Sequence, residues 1–444
     1  MAQTATTSAT DIIEGWRADG IRFVRFELPD MHGTSRSKIV PIEQAPGYCE
    51  EGLNMYGGAA VLDSRSDVVP GTLYHEEIGY GDQRLFPDPA TGAPVPWLDA
   101  TARFICDSRF ADGEPLRALP RYVFRRQLDR AHDLGYEPVM GFEPEFYILN
   151  PDGTPLFSGY QIFNSVRNTY IPLISEIVDQ LNAFGIQIIT ANCEYAGSQW
   201  EINFRPGSGM AGPDNAFTFK NAVKQLAHMH GLNATFMSKP FADSAGSGCH
   251  THVSLTDLGS GENVFGDDGD PQGMTATCRQ FMAGQLRHAR AVYALLAPTV
   301  NCLKRRRPHT FSPSNISWGL EDRSALLRIK GGSAGTRHVE NRAPTGLCNP
   351  YLVGAALLAA GLNGVEEELE LEPAAATPAE QDPSKAPLPT TVHESLQALE
   401  SDEKLVEALG RDFVTAYTTM RRYELQRFDD HVTDWERQEY IEVF

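Results

Sequence analysis

The hydrophobic pattern divides the chain into two textures. Over residues 11–110 it is mixed. A helical stretch over about 11–19 leads to the alternating segment I-R-F-V-R-F-E-L, then the turn P-D-M-H-G and a second strand-like piece near 37–40. Residues 52–96 are too rich in Gly and Pro for assignment, and 97–106 reads as a closing strand. The polar segment 107–115 marks a domain boundary. From Pro120 helices and strands alternate. Residues 120–134, 168–184, 214–230 and 274–296 predict helices, the first three closed by Gly135, Gly185 and Gly231. His288 then falls on a solvated face. V-M-G-F-E-P-E-F-Y-I-L, I-Q-I-I-T, E-I-N-F and the run around 249–255 read as strands, 366–389 as a surface connection, and 392–444 as two or three charged helices. The expected organisation is α+β: a loose tail over 1–10, a small domain over 11–110 and a larger one over 111–444.

Composition narrows the class. The 444 residues are 41% hydrophobic and 22% charged, as in ordinary globular proteins. A formal charge of −20 argues against nucleic acid and anionic membranes as partners, so the basic run 304–307 reads as an anion-binding loop inside a site. Seven scattered cysteines without a C-x-x-C pair form neither a disulfide framework nor a zinc knuckle. Residues 1–10 lack the pattern of a signal peptide, and the apolar run 351–362 is too short to span a bilayer. A reduced, cytoplasmic protein is expected.

The candidate chemistry centres on K-P-F-A-D-S-A-G-S-G-C-H-T-H-V-S-L, residues 239–255. Its glycine loop runs into a strand on which His250 and His252 share a face, with Cys249 turned to the other side for packing. A buried structural histidine pair is the plain alternative. Against it, Glu143 and Glu145 sit two apart on an apolar strand, Glu194 and Glu201 bracket a turn, and Glu340 precedes Arg342 by two. Buried carboxylates without partners cost several kcal/mol, so such a set calls for cations. Oxygen-rich ligands with one imidazole suit Mg2+ or Mn2+. Arg305, Arg323, Arg328, Arg337 and Arg342 supply the matching anion-binding charge. Two ions beside arginines suit phosphoryl transfer, although neither a Walker loop nor G-x-G-x-x-G is present.

The motifs G-F-E-P-E-F, E-Y-A-G-S-Q-W-E-I-N-F, the glycine loop with its histidines, N-C-L-K-R, D-R-S-A-L-L-R-I, R-H-V-E-N-R and N-P-Y-L resemble those of type I glutamine synthetase over nearly the whole chain. The resemblance implies an N-terminal β-grasp domain and a catalytic domain with a curved antiparallel sheet flanked by helices. It implies dodecamers whose sites lie between subunits, with ATP and two or three Mg2+ or Mn2+ ions per site. By matching motif, Glu145, Glu194 and Glu201 would hold one metal, and Glu143, His250 and Glu340 another. His252, Ser254, Arg328 and Arg337 would face ATP. Gly246, Arg305 and Arg342 would bind glutamate, with Arg305 also catalytic, and Arg323 would stabilise the transferred phosphoryl group.

This sequence departs from the family where ammonium binds. Phe311 stands at the position of the flap glutamate, and Gly57, beside Tyr56, at that of an N-terminal aspartate. Ala245 replaces an asparagine and His338 an arginine. A site without these acids has little to hold ammonium, and Tyr56, Gly57 and Phe311 make a larger, more apolar pocket. The expected activity is ATP-dependent joining of the γ-carboxylate of L-glutamate to an organic primary amine, alkyl or aryl, through γ-glutamyl phosphate, in amine catabolism and nitrogen metabolism. The alternatives are ordinary glutamine synthesis from ammonia, with acids such as Asp63, Asp67 or Glu321 standing in, γ-glutamylpolyamine synthesis, and a family member without catalysis. The tyrosine segment that adenylylation would need is absent between 366 and 389.

Overall fold

The computed structural model describes residues 7–159, 162–168, 172–307 and 309–444. Helix Ala9–Ala18 starts at a capping box between Ser8 and Asp11 and packs Trp16 on Phe104, with ring centroids 4.9 Å apart. Beneath it lies a six-stranded sheet. Phe23–Pro29 pairs antiparallel with Ser35–Pro41 on one side and parallel with Thr101–Arg109 on the other. Asp82–Pro87 and Leu53–Tyr56 extend it. A parallel central pair flanked by hairpins and crossed by a helix is the β-grasp arrangement.

The larger sheet has nine strands and curls into a half-barrel flanked by helices. Its long member, Tyr136–Leu149, pairs antiparallel with Cys249–Asp257 and with Gln199–Phe204. Val339–Asn341 joins Cys249–Asp257 to Leu327–Ile329, and Ile188–Cys193 closes the other edge. Behind it the helix Pro350–Glu366 is buried almost all round, as its uninterrupted Leu, Ala and Gly content requires. It crosses helix Ala276–Arg287 so closely that a Cβ on Gly364 would come within 2.6 Å of the Gly284 nitrogen.

Buried charge ties the two sheet systems together. The guanidinium of Arg121, on helix Pro120–Asp133, lies 2.7 Å from Asp88, 2.8 Å from Asp107 and 3.0 Å from Asp214. Each partner compensates a charge that alone would be costly to bury.

Several expectations need correction. The tail expected over 1–10 ends sooner, because the Ser8 cap lets the helix begin at Ala9; residues 1–6 lie outside the described residues. The stretch 52–96 contains three strands, Leu53–Tyr56, Asp82–Pro87 and Ala93–Pro94, whose short apolar positions are decided by sheet pairing. The helix expected over 274–296 is two, Ala276–Arg287 and Ala289–Leu296, meeting at His288. His288 is buried, its Nδ1 2.6 Å from Asp402 Oδ2, because the C-terminal segment packs over the face expected to be solvated. That segment forms four helices, Val392–Ser401, Glu403–Leu409, Arg411–Asp429 and Asp434–Tyr440. The helix expected over 168–184 is observed as Pro172–Phe184, with 169–171 outside the described residues.

Candidate active site

Cross-strand register assembles the acidic groups. Glu145 pairs directly with Glu201, and Asn192, two residues before Glu194, pairs with Glu201 from the far side. One register step away, His250 pairs with Glu143, and His252 pairs with Glu340. Alternation on the Cys249–Asp257 strand aims His250, His252 and Ser254 to one face. Cys249 is buried on the other, where its thiol meets that of Cys348.

In the first group, Glu145 is anchored by the Gly248 backbone N–H at 3.0 Å and by Gln199 Nε2 at 3.0 Å. Gln199 also reaches the Gly246 carbonyl at 3.1 Å, binding the glycine loop to the carboxylate strand. Burial, then the charge of Glu145, raises Glu194 to about 7 and Glu201 to about 9. Three carboxylates so placed cannot all ionise without a counter-charge.

In the second group, His252 Nε2 lies 2.9 Å from Glu143 Oε1, and His250 Nδ1 lies 3.5 Å from Glu143 and 3.8 Å from Glu340. Burial alone would raise Glu143, but the two imidazoles outweigh it and hold the carboxylate low. Glu340, 1% exposed, is likewise held down to about 2 by His250 and Arg342 against its burial. Burial, then Arg342, lowers His250.

The donor set fits divalent cations. Glu143, His252 and Glu340 each offer a ligand atom within 4.8 Å of the others, and the closest partner of His252 is the Glu143 carboxylate itself, 2.9 Å from Nε2. His252, expected on the nucleotide side, therefore belongs geometrically with the donors as much as His250 does.

A cavity of about 1110 Å3 opens over both groups. Glu143, Glu145, Glu194, Glu201, His250, Glu340, Gly246, Phe311 and the arginines 305, 323, 328 and 342 line it. Arg305 donates to His250 Nε2 at 3.3 Å and to Ser312 at 3.2 Å and, with Arg307, lines the cavity, whereas Arg306 of the same run donates to the Pro389 carbonyl at 2.7 Å. Arg328 donates to Glu340 at 2.9 Å, and Arg342 to the same carboxylate. Arg323 is exposed into the cavity, where its charge acts on Glu194.

Other expected residues lie apart. His252, Ser254 and Arg337 are outside the lining; Arg337 is spent on the Lys330 and Gly332 carbonyls at 2.6 and 3.2 Å. Tyr56 and Gly57 sit in the N-terminal sheet system, with Tyr56 Oη 2.6 Å from His75 Nδ1. Asp63 is buried against Arg427 and Glu321 is held by Arg328, and neither they nor Asp67 line the cavity among the described residues.

Sequence reasoning passed over Phe163, Tyr195, His309 and Gln199, all of which line the cavity. Tyr195 follows Glu194 and could have been read from that adjacency. Phe163 and His309 come from loops, where no periodicity signals which way a side chain points.

A curled sheet holding two cation-ready acidic groups against five lining arginines, 305, 307, 323, 328 and 342, has the donors and the charge that metal-dependent phosphoryl transfer requires. The family model described as Glutamine synthetase, catalytic domain, matches residues 117–440. The glutamine synthetase of Halobacterium salinarum is 34% identical over 456 residues, covering 99% of this chain and 98% of that protein. The gamma-glutamylethanolamide synthetase GlnA4 of Streptomyces coelicolor is 34% identical, over 94% of this chain and 92% of its own. A solved structure of a GmaS/ADP complex matches with a TM-score of 0.87 at 29% identity, covering 98% of this chain and 100% of that one. The chain belongs to the glutamine synthetase family. It is an ATP-dependent carbon–nitrogen ligase of that family, whose members use divalent metals.

Proposed function

We propose that this ligase joins the γ-carboxylate of L-glutamate to an organic primary amine, alkyl or aryl, forming ADP and phosphate by way of γ-glutamyl phosphate. The carrying observation is the acceptor side of the cavity. Outside the candidate metal carboxylates, the described lining holds one further acid, Asp243, exposed and acting on Lys239. The side chains Phe163, Tyr195 and Phe311 are 64%, 41% and 46% exposed, an unusual cost for aromatic surface unless a ligand covers it. At Gly57 a Cβ would approach the Gly81 carbonyl to 2.7 Å, so the backbone has closed over the place where an acid would stand. A relative named for gamma-glutamylethanolamide synthesis supports the same reading.

In this reading Glu145, Glu194 and Glu201 hold one Mg2+ or Mn2+, and Glu143 and Glu340 hold another with His250 or His252. Bound metal neutralises phosphate charge during transfer. Arg305 and Arg342 orient the glutamate carboxylate beside Gly246, Arg323 faces the phosphoryl group, and Arg328 meets the nucleotide phosphates with His252. Ser254 and Arg337 would serve the nucleotide only after rearrangement.

Tyr56 and Gly57 would reach an acceptor pocket from a neighbouring chain. That supports a ring assembly with shared sites, a dodecamer, built on a domain over 11–110 and another over 111–444. Equilibrium sedimentation tests it, and a monomer at working concentration would defeat it.

The function is tested by ATP- and glutamate-dependent phosphate release over a panel of amines, with product masses. Turnover should favour monoamines with apolar substituents. Ammonia used as well as any larger amine would leave the second reading, plain glutamine synthesis, which the family's many glutamine synthetases favour. Preference for a polyamine would instead favour γ-glutamylpolyamine synthesis.

A further inference from the structure

An alkylamine reaches the enzyme as an ammonium ion, since its pKa is about 10 like that of lysine. It must lose a proton before it can attack. The carboxylates of the two acidic groups are poor bases for this, being arranged to hold cations. We propose that His309, positioned by Glu380, is the general base that deprotonates the amine. This rests on the ligase reading above.

His309 lines the cavity on the same loop as Phe311, two residues before it. Its side chain is exposed, and its Nδ1 lies 3.3 Å from Glu380 Oε1. The other Glu380 oxygen accepts the His309 backbone N–H at 3.4 Å. One carboxylate therefore grips both the ring and the main chain of this residue. The grip coincides with a left-handed backbone at His309, φ +61°, a conformation uncommon for residues other than glycine and frequent at sites where geometry serves function. Glu380 is itself seated. Its N–H donates to Ser324 at 3.2 Å, and the adjoining Ala379 is held by Asp322 at 2.9 Å and Asn315 at 2.7 Å. Asp322 and Ser324 flank Arg323, so the dyad and the candidate phosphoryl-stabilising arginine share one scaffold.

A carboxylate against Nδ1 favours the tautomer with its proton there. The Nε2 lone pair is then left to accept a proton, which is the logic of an oriented imidazole base. In the step, R–NH3+ gives one proton to Nε2. The resulting amine attacks the γ-carbonyl carbon of γ-glutamyl phosphate, and a C–N bond forms. The bond from carbon to the phosphate oxygen breaks, and its electron pair leaves with phosphate. The second N–H proton goes to that departing phosphate, giving HPO4(2−), while the third stays on the amide. The imidazolium releases its proton to solvent.

The test compares nucleophiles that differ in charge. His309→Gln should lower kcat with ethylamine about 10²- to 10⁴-fold, the usual share of general-base catalysis, with KM for glutamate little changed. With hydroxylamine or aniline, uncharged at neutral pH, the same variant should stay within a few-fold of the wild type. That activity also shows that the variant folds and phosphorylates glutamate. Glu380→Gln, which removes the positioning charge, should give the same pattern more weakly. Equal loss with both nucleophile classes would make the dyad a structural latch, and no loss with ethylamine would remove His309 from the reaction; either overturns the proposal. A wild type that turns over ammonia alone defeats the ligase reading separately, and ammonia against hydroxylamine then still judges His309.

Discussion

Glu145 and Glu201 stand directly opposite each other on neighbouring antiparallel strands, two carboxylates held side by side by backbone register. Their proximity has a thermodynamic sign. Burial and mutual repulsion raise Glu201 to about 9 and Glu194 to about 7, from an ordinary 4.5. Without metal, the folded protein keeps protons that the unfolded chain gives up, so stability falls as pH rises across this window. Metal-free protein should therefore lose stability steadily between about pH 5 and pH 9. Saturating Mg2+ or Mn2+ should flatten the slope, since the cation replaces the proton. Thermal unfolding against pH, with and without chelator, measures both; a metal-free protein that gains stability toward pH 9 would contradict the crowding.

Glu340 satisfies Arg328 and Arg342 at once and is almost fully buried. Glu340→Gln keeps the volume but removes the charge that both guanidiniums oppose. Turnover should fall at least 100-fold while the protein stays folded, at a cost of about 3 kcal/mol for unbalanced buried charge. Steady-state kinetics with circular dichroism would show whether activity survives.

Gln199 is not itself a candidate metal ligand, yet it holds the ligand Glu145 in place and ties it to the glycine loop. Gln199→Leu should weaken metal activation about 10- to 100-fold, as loss of an outer-shell orienting bond does. The half-saturating Mg2+ concentration in the phosphate-release assay is the readout, and an unchanged value would make the bond incidental.

Phe311 brings apolar surface to the cavity, and in the proposed function it borders the acceptor amine. Phe311→Glu should lower kcat/KM for an apolar amine about 10- to 200-fold and improve the ratio for ammonia, because a carboxylate favours the small cation over the alkyl group. Parallel assays with the two acceptors decide it; an unchanged ratio would place the acceptor elsewhere.

Much of the site was legible because it is built on strands. A period of two put Glu143 with Glu145, His250 with His252, and Cys249 on the packing side, and the structure keeps these alternations. The arginines were legible as types, since four of the five line one cavity. His288 was misread because what covers it, Asp402 and the C-terminal helices, is more than 100 residues away in the chain. His309 and Phe163 carry no periodic signal, and their side-chain directions come from left-handed backbone held by distant groups.

The sequence alone determined the kinds of groups present and the faces that carry them, because strand alternation and residue chemistry are local. Tertiary structure decided which faces meet. It paired Glu145 with Glu201, brought His252 into the same donor group as Glu143 and Glu340, and set Glu380 against His309, since cross-strand register and loop seating depend on contacts between residues far apart in the chain.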